Sequence, residues 1–136
     1  MLHFQVTPAS GVPNYRQIMD QVAYYVASGN LKPGDSLPSI RELASRLTLN
    51  PSTIVKAFNE LAHAGVIELR QGKGAFITNG VKKLTPAEIR KALRTQAQKL
   101  AVEANQLGIS RGALHHLLDE EISELEKKNH EHSNNQ

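Results

Sequence analysis

The 136-residue chain contains no cysteine and no tryptophan. Disulfides, thiolate nucleophiles and cysteine-ligated zinc are thereby excluded. Aromatic residues are scarce, three Tyr and three Phe, so a core has to be assembled from Leu, Ile, Val and Ala. No run approaches the ~18 uncharged apolar residues of a membrane span, and no basic stretch followed by an apolar block opens the chain. The expected location is cytoplasmic, without membrane association. Catalytic signatures are missing too. Gln71-Gly-Lys-Gly74 stands where a hairpin turn is expected, not between a strand and a helix as a phosphate-binding loop requires. No Ser, His or Asp stands in a recognisable nucleophile motif. Neither a catalytic residue nor a cofactor is expected. The length suits one ordinary domain, or a small one with an appendage, at ~100–200 residues per domain.

What is present is an uneven distribution of charge. The net +3 conceals a middle segment, residues 32–99, with twelve Lys/Arg against five Asp/Glu, and a C-terminal segment, residues 100–136, with three against seven. A basic middle and an acidic end imply a surface that meets a polyanion and a second part employed differently. Charge runs are more often plain solvated faces, so charge alone does not decide between the two.

Hydrophobic periodicity orders the chain. His3 to Thr7 alternates like a short strand or arm. Residues 14–28 place Tyr15, Ile18, Val22, Tyr25 and Val26 at helical spacing, and Gly29-Asn30 stops that helix. Leu31 to Asp35 reads as a turn. A second helix is expected from about Pro38, with Ile40, Leu43, Ala44 and Leu47 on one face. After Thr48-Leu49, Asn50 caps a third helix that opens on Pro51, buries Ile54, Ala57, Phe58 and Leu61, and ends at Gly65. Two such helices joined by about three residues make a helix-turn-helix. Residues 66–70 then alternate like a strand, residues 71–74 turn and residues 75–78 pair back, so a β-wing follows directly.

From Thr85-Pro86-Ala87-Glu88, a capping box, the chain returns to helix with Ile89, Leu93, Leu100, Ala104 and Leu107 in one stripe. Gly108 ends it. Ser110 caps a last helix carrying Leu114, Leu117, Leu118, Ile122 and Leu125 as far as about Lys128. The expected class is mainly α with a small β-hairpin: a winged helix-turn-helix DNA-binding domain over residues 1–80, a two-helix dimerisation element over 81–128, and a mobile polar tail over 129–136.

The third helix carries the chemistry. At 100° per residue Ser52, Lys56, Asn59 and His63 lie in one stripe, with Thr53 beside its start and the apolar face opposite. Asn bonds an adenine edge in two places, hydroxyls take several partners, and Lys reaches guanine or phosphate. Asn50, Ser52 and Thr53 sit at the end where free amides and the helix dipole attract phosphate. Lys73, between two glycines at the wing tip, extends a cation toward a duplex. Arg41 is the favoured phosphate contact of the second helix, with Lys32, Arg46 and Arg70 as further cations. Arg70 and Glu68 could instead form a cross-strand pair.

The runs Gly34-Asp-Ser-Leu-Pro-Ser-Ile-Arg-Glu-Leu-Ala44, Asn50-Pro-Ser-Thr-Ile-Val-Lys-Ala-Phe58, Leu61, Gly65-Val-Ile67 and Gly72-Lys-Gly-Ala-Phe76 closely resemble the GntR family of bacterial transcription regulators, over residues 13–78. The Asn-Pro-x-Thr opening of the third helix and a C-terminal part of only ~55 residues resemble its YtrA subfamily. The resemblance implies a homodimeric repressor of its own gene or of a transporter operon. It places DNA contacts on Arg41, on Asn50, Ser52, Thr53 and Lys56, and on Gln71, Gly72 and Lys73. Pro51 and Val55 stand where many relatives carry a basic residue, and Ile40 where other subfamilies carry Glu, so base readout has to be distributed differently here.

Two antiparallel helices with one apolar stripe each bury little alone. Pairing with a second copy through Ile89, Leu93, Leu100, Leu107, Leu114, Leu118, Ile122 and Leu125 is therefore expected. A dimer would set two recognition helices ~34 Å apart on an inverted-repeat operator in double-stranded DNA. A crevice between the wing domain and the tail is the expected place for a small-molecule effector of unknown identity. Metal binding by His115, His116, His130 and His132 with Asp119, Glu120 and Glu124 is an alternative that helix geometry disfavours, because adjacent histidines diverge on a helix, and no metal ligand is assigned. The rival class is a protein-interaction module whose basic face docks an acidic partner. Such helices usually present aromatic or aliphatic anchors, whereas Ser52, Lys56 and Asn59 are hydrophilic.

Overall fold

The structure, a computed structural model, describes residues 2–134, with side chains as far as Lys128. It divides into two compact units, the first ending at Thr85 and the second beginning at Pro86.

In the first unit a single turn of 3₁₀-helix, Pro8–Ser10, precedes α1, Asn14–Ser28. Helix α1 buries Ile18, Val22 and Val26 and ends at Gly29, whose φ of 84° is left-handed and whose N–H donates to the Val26 carbonyl. Helix α2 spans Ile40–Leu47, two residues later than Pro38. The Ser39 hydroxyl accepts from Glu42 N at 3.0 Å, and this cap requires residue 39 to stay extended, which leaves Pro38 outside the helix. Helix α3, Pro51–His63, starts on its proline as expected and buries Ile54, Ala57, Phe58 and Leu61. Between α2 and α3, Thr48 adopts φ 54°, a left-handed conformation that a β-branched residue tolerates poorly.

Strands β1, Ile67–Arg70, and β2, Gly74–Ile77, form the antiparallel wing, Ile67 opposite Ile77 and Arg70 opposite Gly74. The segment expected to be a plain turn does more. Gly34 N donates to Ile77 O, Ile77 N to Asp35 O, both at 2.8 Å, and Leu37 N to Ala75 O at 2.9 Å, with Ser36 bridging Phe76. Residues 34–37 thus cover the outer edge of β2, satisfying backbone groups that an open edge would leave to solvent.

The core gathers α1, α2, α3, the hairpin and Phe4, with Ile18, Val22, Leu43 and Ile54 fully enclosed. Phe4 meets Tyr25 edge to face at 5.7 Å. The N-terminal arm is held by a ladder of α1 side chains one turn apart. The Gln17 amide bonds both N and O of Thr7, at 2.7 and 3.1 Å, and the Gln21 amide bonds both N and O of Gln5, at 2.9 and 2.5 Å. The Tyr25 hydroxyl accepts from His3 N and donates to His3 O. Three side chains at i, i+4 and i+8 thus take the place of a partner strand.

The unit also extends past residue 80, where sequence placed its end. Leu84 N donates to Ala27 O at 2.7 Å, and Val81 packs against the core, so residues 81–85 fold back onto α1.

The second unit is α4, Pro86–Gln106, and α5, Arg111–Asn134. They join through Gly108 at φ 74°, with Ile109 N donating to Ala104 O at 2.8 Å and Ser110 Oγ accepting from Ala113 N at 3.1 Å. Sequence predicts one apolar stripe on each helix and little burial within one chain. The helices approach each other chiefly around the elbow, where Leu100, Ala104, Leu107, Ile109, Leu114 and Leu117 line an apolar groove of about 350 Å³. Ala104 alone is buried among the described residues of this unit; Leu93 is 64% and Ile122 44% exposed. Helix α5 also continues to Asn134, beyond Lys128, where a mobile tail was expected. Its polar residues from 129 onward carry no proline or glycine to stop it. The last two positions of that expected tail, 135 and 136, lie outside the described residues.

Candidate nucleic-acid interface

Helix α3 packs on α1, α2 and β1, which fixes the direction of its opposite face. Ser52, Lys56, Asn59 and His63 are all exposed there and Thr53 is half-buried, the arrangement the 100° spacing predicts. The face thus carries a hydroxyl, an ammonium, a carboxamide and an imidazole within three turns.

Asn50 caps the helix, as its place before Pro51 predicts. Its Oδ1 accepts from Ser52 N at 2.9 Å, and its carbonyl accepts from Thr53 N at 3.0 Å. Pro51 has no N–H. The amides of the first turn are therefore spoken for, and the expected cradle of free N–H groups is closed; what the helix start still offers an anion is its dipole and the Asn50 amide hydrogens.

Lys56 is held in a way that periodicity did not indicate. Its Nζ lies 4.1 Å from the centroid of the Tyr15 ring at the start of α1, a cation–π contact that restricts where the ammonium can go. Tyr15, which the sequence assigned only to the core, thus holds a candidate site side chain; an aromatic with a polar tip early in α1 was the available signal.

The α2 cations separate cleanly. Arg46 is bound to Glu42 at 2.6 Å, whereas Arg41 is exposed and has no ion-pair partner among the described residues. Arg41 is the α2 side chain available to phosphate. In the wing Arg70 stacks over Phe76 of the opposite strand at 4.3 Å and reaches Glu68 of its own strand at 3.5 Å, so the carboxylate contact runs along the strand instead of across it. Gln71, Gly72 and Lys73 are all exposed at the tip. Gly72 and Gly74 have φ of 75° and 110° and open space around them; the left-handed backbone of the turn itself accounts for both glycines.

The predicted dimer contacts lie in the second unit. Ile89 and Leu114 are half-buried there, and Leu93, Leu100, Leu107, Leu118, Ile122 and Leu125 are exposed. The histidines do not assemble. His116 Nε2 meets Glu120 Oε1 at 2.8 Å, with both side chains largely exposed, and no group of three metal-ligating residues forms among the described residues. The side chains of His130 and His132 lie outside them. No described helix is long and apolar enough to cross a membrane.

Residues 14–77 match the model for bacterial regulatory proteins of the gntR family. Over 127 residues, 92% of this chain and 98% of the relative, the sequence is 35% identical to the HTH-type transcriptional repressor YtrA of Bacillus subtilis strain 168. The chain belongs to the GntR family and is YtrA-like within it. Among solved structures, this GntR regulator is similar to a transcriptional antiterminator from Listeria monocytogenes EGD-e, with 35% identity, a TM-score of 0.56, and coverage of 88% of this chain and 89% of the other. It is also similar to the AraR DNA-binding domain in complex with operator ORX1, with 25% identity, a TM-score of 0.51, and coverage of 57% of this chain and 100% of the other. The helices and hairpin of residues 14–77 therefore form a winged helix-turn-helix, and the protein is a DNA-binding transcription regulator rather than an enzyme.

Proposed function

We propose that this GntR-family regulator is a homodimeric repressor, acting in the cytoplasm, that lays α3 in the major groove of each half of an inverted-repeat operator. The observation that carries the reading is the division of α3 into an enclosed apolar face and an exposed face of hydrogen-bonding side chains. Ser52, Thr53, Lys56 and Asn59 are the base and phosphate readers. Asn50 shapes the start of the helix, and Arg41, Gln71, Gly72 and Lys73 hold the backbone. The likeness to YtrA, a repressor by name, over nearly the whole of both chains supports repression. The operator-bound AraR domain supports the docking mode.

Dimerisation is the task of the second unit. Helices α4 and α5 leave their apolar rows uncovered within one chain, and a second copy supplies the missing surface. Selection of bound sequences from random duplex DNA at fixed salt tests both halves of the proposal. The expected product is an inverted repeat with half-sites about one helical turn, ~34 Å, apart, together with a dimer in sedimentation. A monomer bound at one site per chain removes the dimer, and a protein with no salt-sensitive preference for any duplex removes DNA reading by α3.

A further inference from the structure

Of the apolar residues on α3, Ile54, Ala57, Phe58 and Leu61 are buried and Ala62 packs against the core, but Val55 does neither and is 38% exposed. It stands three residues after Ser52 and four before Asn59, so its branched side chain borders the polar stripe. It is not part of the core cluster. A β-branched residue on an exposed helical position is a poorer helix former than Ala. The feature presented in the major groove that matches an aliphatic side chain is the 5-methyl group of thymine.

Resting on the reading of α3 as the groove-entering helix, we propose that Val55 is a specificity residue that contacts a thymine methyl. The neighbouring Asn59 and Ser52 read hydrogen-bonding edges, and Val55 adds a contact that distinguishes thymine from cytosine at the adjoining base pair. It does so without charge, so its contribution is independent of salt.

The test removes the methyl from the DNA and the branch from the protein. Once a half-site has been selected with the full chain, each thymine is replaced in turn by deoxyuridine. At one position per half-site this lowers the affinity of the wild-type protein about fourfold, the equivalent of ~0.8 kcal/mol for one carbon group returned to water. Val55→Ala binds the thymine and uracil duplexes equally, with the salt slope unchanged and the melting temperature unchanged or slightly raised. If no deoxyuridine substitution weakens the wild type while sequence preference and salt dependence persist, the methyl contact is wrong and α3 reads through polar groups alone. If Val55→Ala weakens both duplexes equally, or melts at a lower temperature, the residue has a structural role and the proposal fails. A wild-type protein with no sequence preference overturns the groove-entering helix itself, and the methyl contact with it.

Discussion

The two units of the chain use the same device, helices with one apolar stripe, to opposite ends. In residues 2–85 fifteen apolar side chains close on one another, and the hairpin, the 34–37 segment and the arm all add cover. In the unit that begins at Pro86 only Ala104 is enclosed among the described residues, while leucines and isoleucines line both helices in the open. The difference lies less in composition than in geometry. Three helices and a hairpin can surround a volume, but two helices diverging from an elbow cannot, so the second unit has a surface to complete where the first has a core.

That contrast can be broken by substitutions that strike one unit and spare the other. Phe58→Ala, deep in the first unit, should cost about 3–5 kcal/mol in a urea titration of the full chain, with sedimentation of the folded protein unchanged. Ile122→Asp should do the reverse. Its expected effect is a dimer dissociation constant raised by at least roughly tenfold, or ~1.4 kcal/mol, read by sedimentation, with the unfolding midpoint of the winged unit preserved. A loss of winged-unit stability in this variant would show that the core of the first unit depends on the second.

Smaller effects sharpen the picture within the winged unit. Asn59→Ala should change preference at one base pair by ~1–3 kcal/mol, measured by competition between duplexes, and leave folding untouched. A uniform loss across sequences would place Asn59 among backbone contacts. Thr48→Gly should stabilise by about 1 kcal/mol, since glycine takes φ 54° without the clash that a β-branched side chain meets, and a rise in melting temperature checks it. Lys73→Ala should lower the salt slope of binding by about one unit, weakening all duplexes alike.

Much of this architecture is readable in the residues because it is local. The limits of α1 and α3, the Asn50 and Ser110 caps, and the face on which Lys56 and Asn59 stand all follow from spacing and capping chemistry. Even there, two capping solutions compete at α2, and Ser39 displaces Pro38 from the helix because a side-chain cap needs an extended residue. What stays hidden is long-range. Residues 34–37 along β2, residues 81–85 against α1 and the Tyr15 ring beneath Lys56 have no periodic signature, since each depends on where a distant segment happens to pass. The stripes of α4 and α5 are legible, and so is the little that two such helices bury alone, but the angle between them is not, because periodicity reports only which side of a helix is apolar.

The arm along α1 shows how recognition of main chain alone leaves spelling free. At Thr7 and Gln5 the amides of Gln17 and Gln21 meet only the peptide N–H and C=O, so nothing in those four bonds specifies which side chains the two residues carry. Proline is the exception at either place, because it has no hydrogen for the glutamine oxygen to hold.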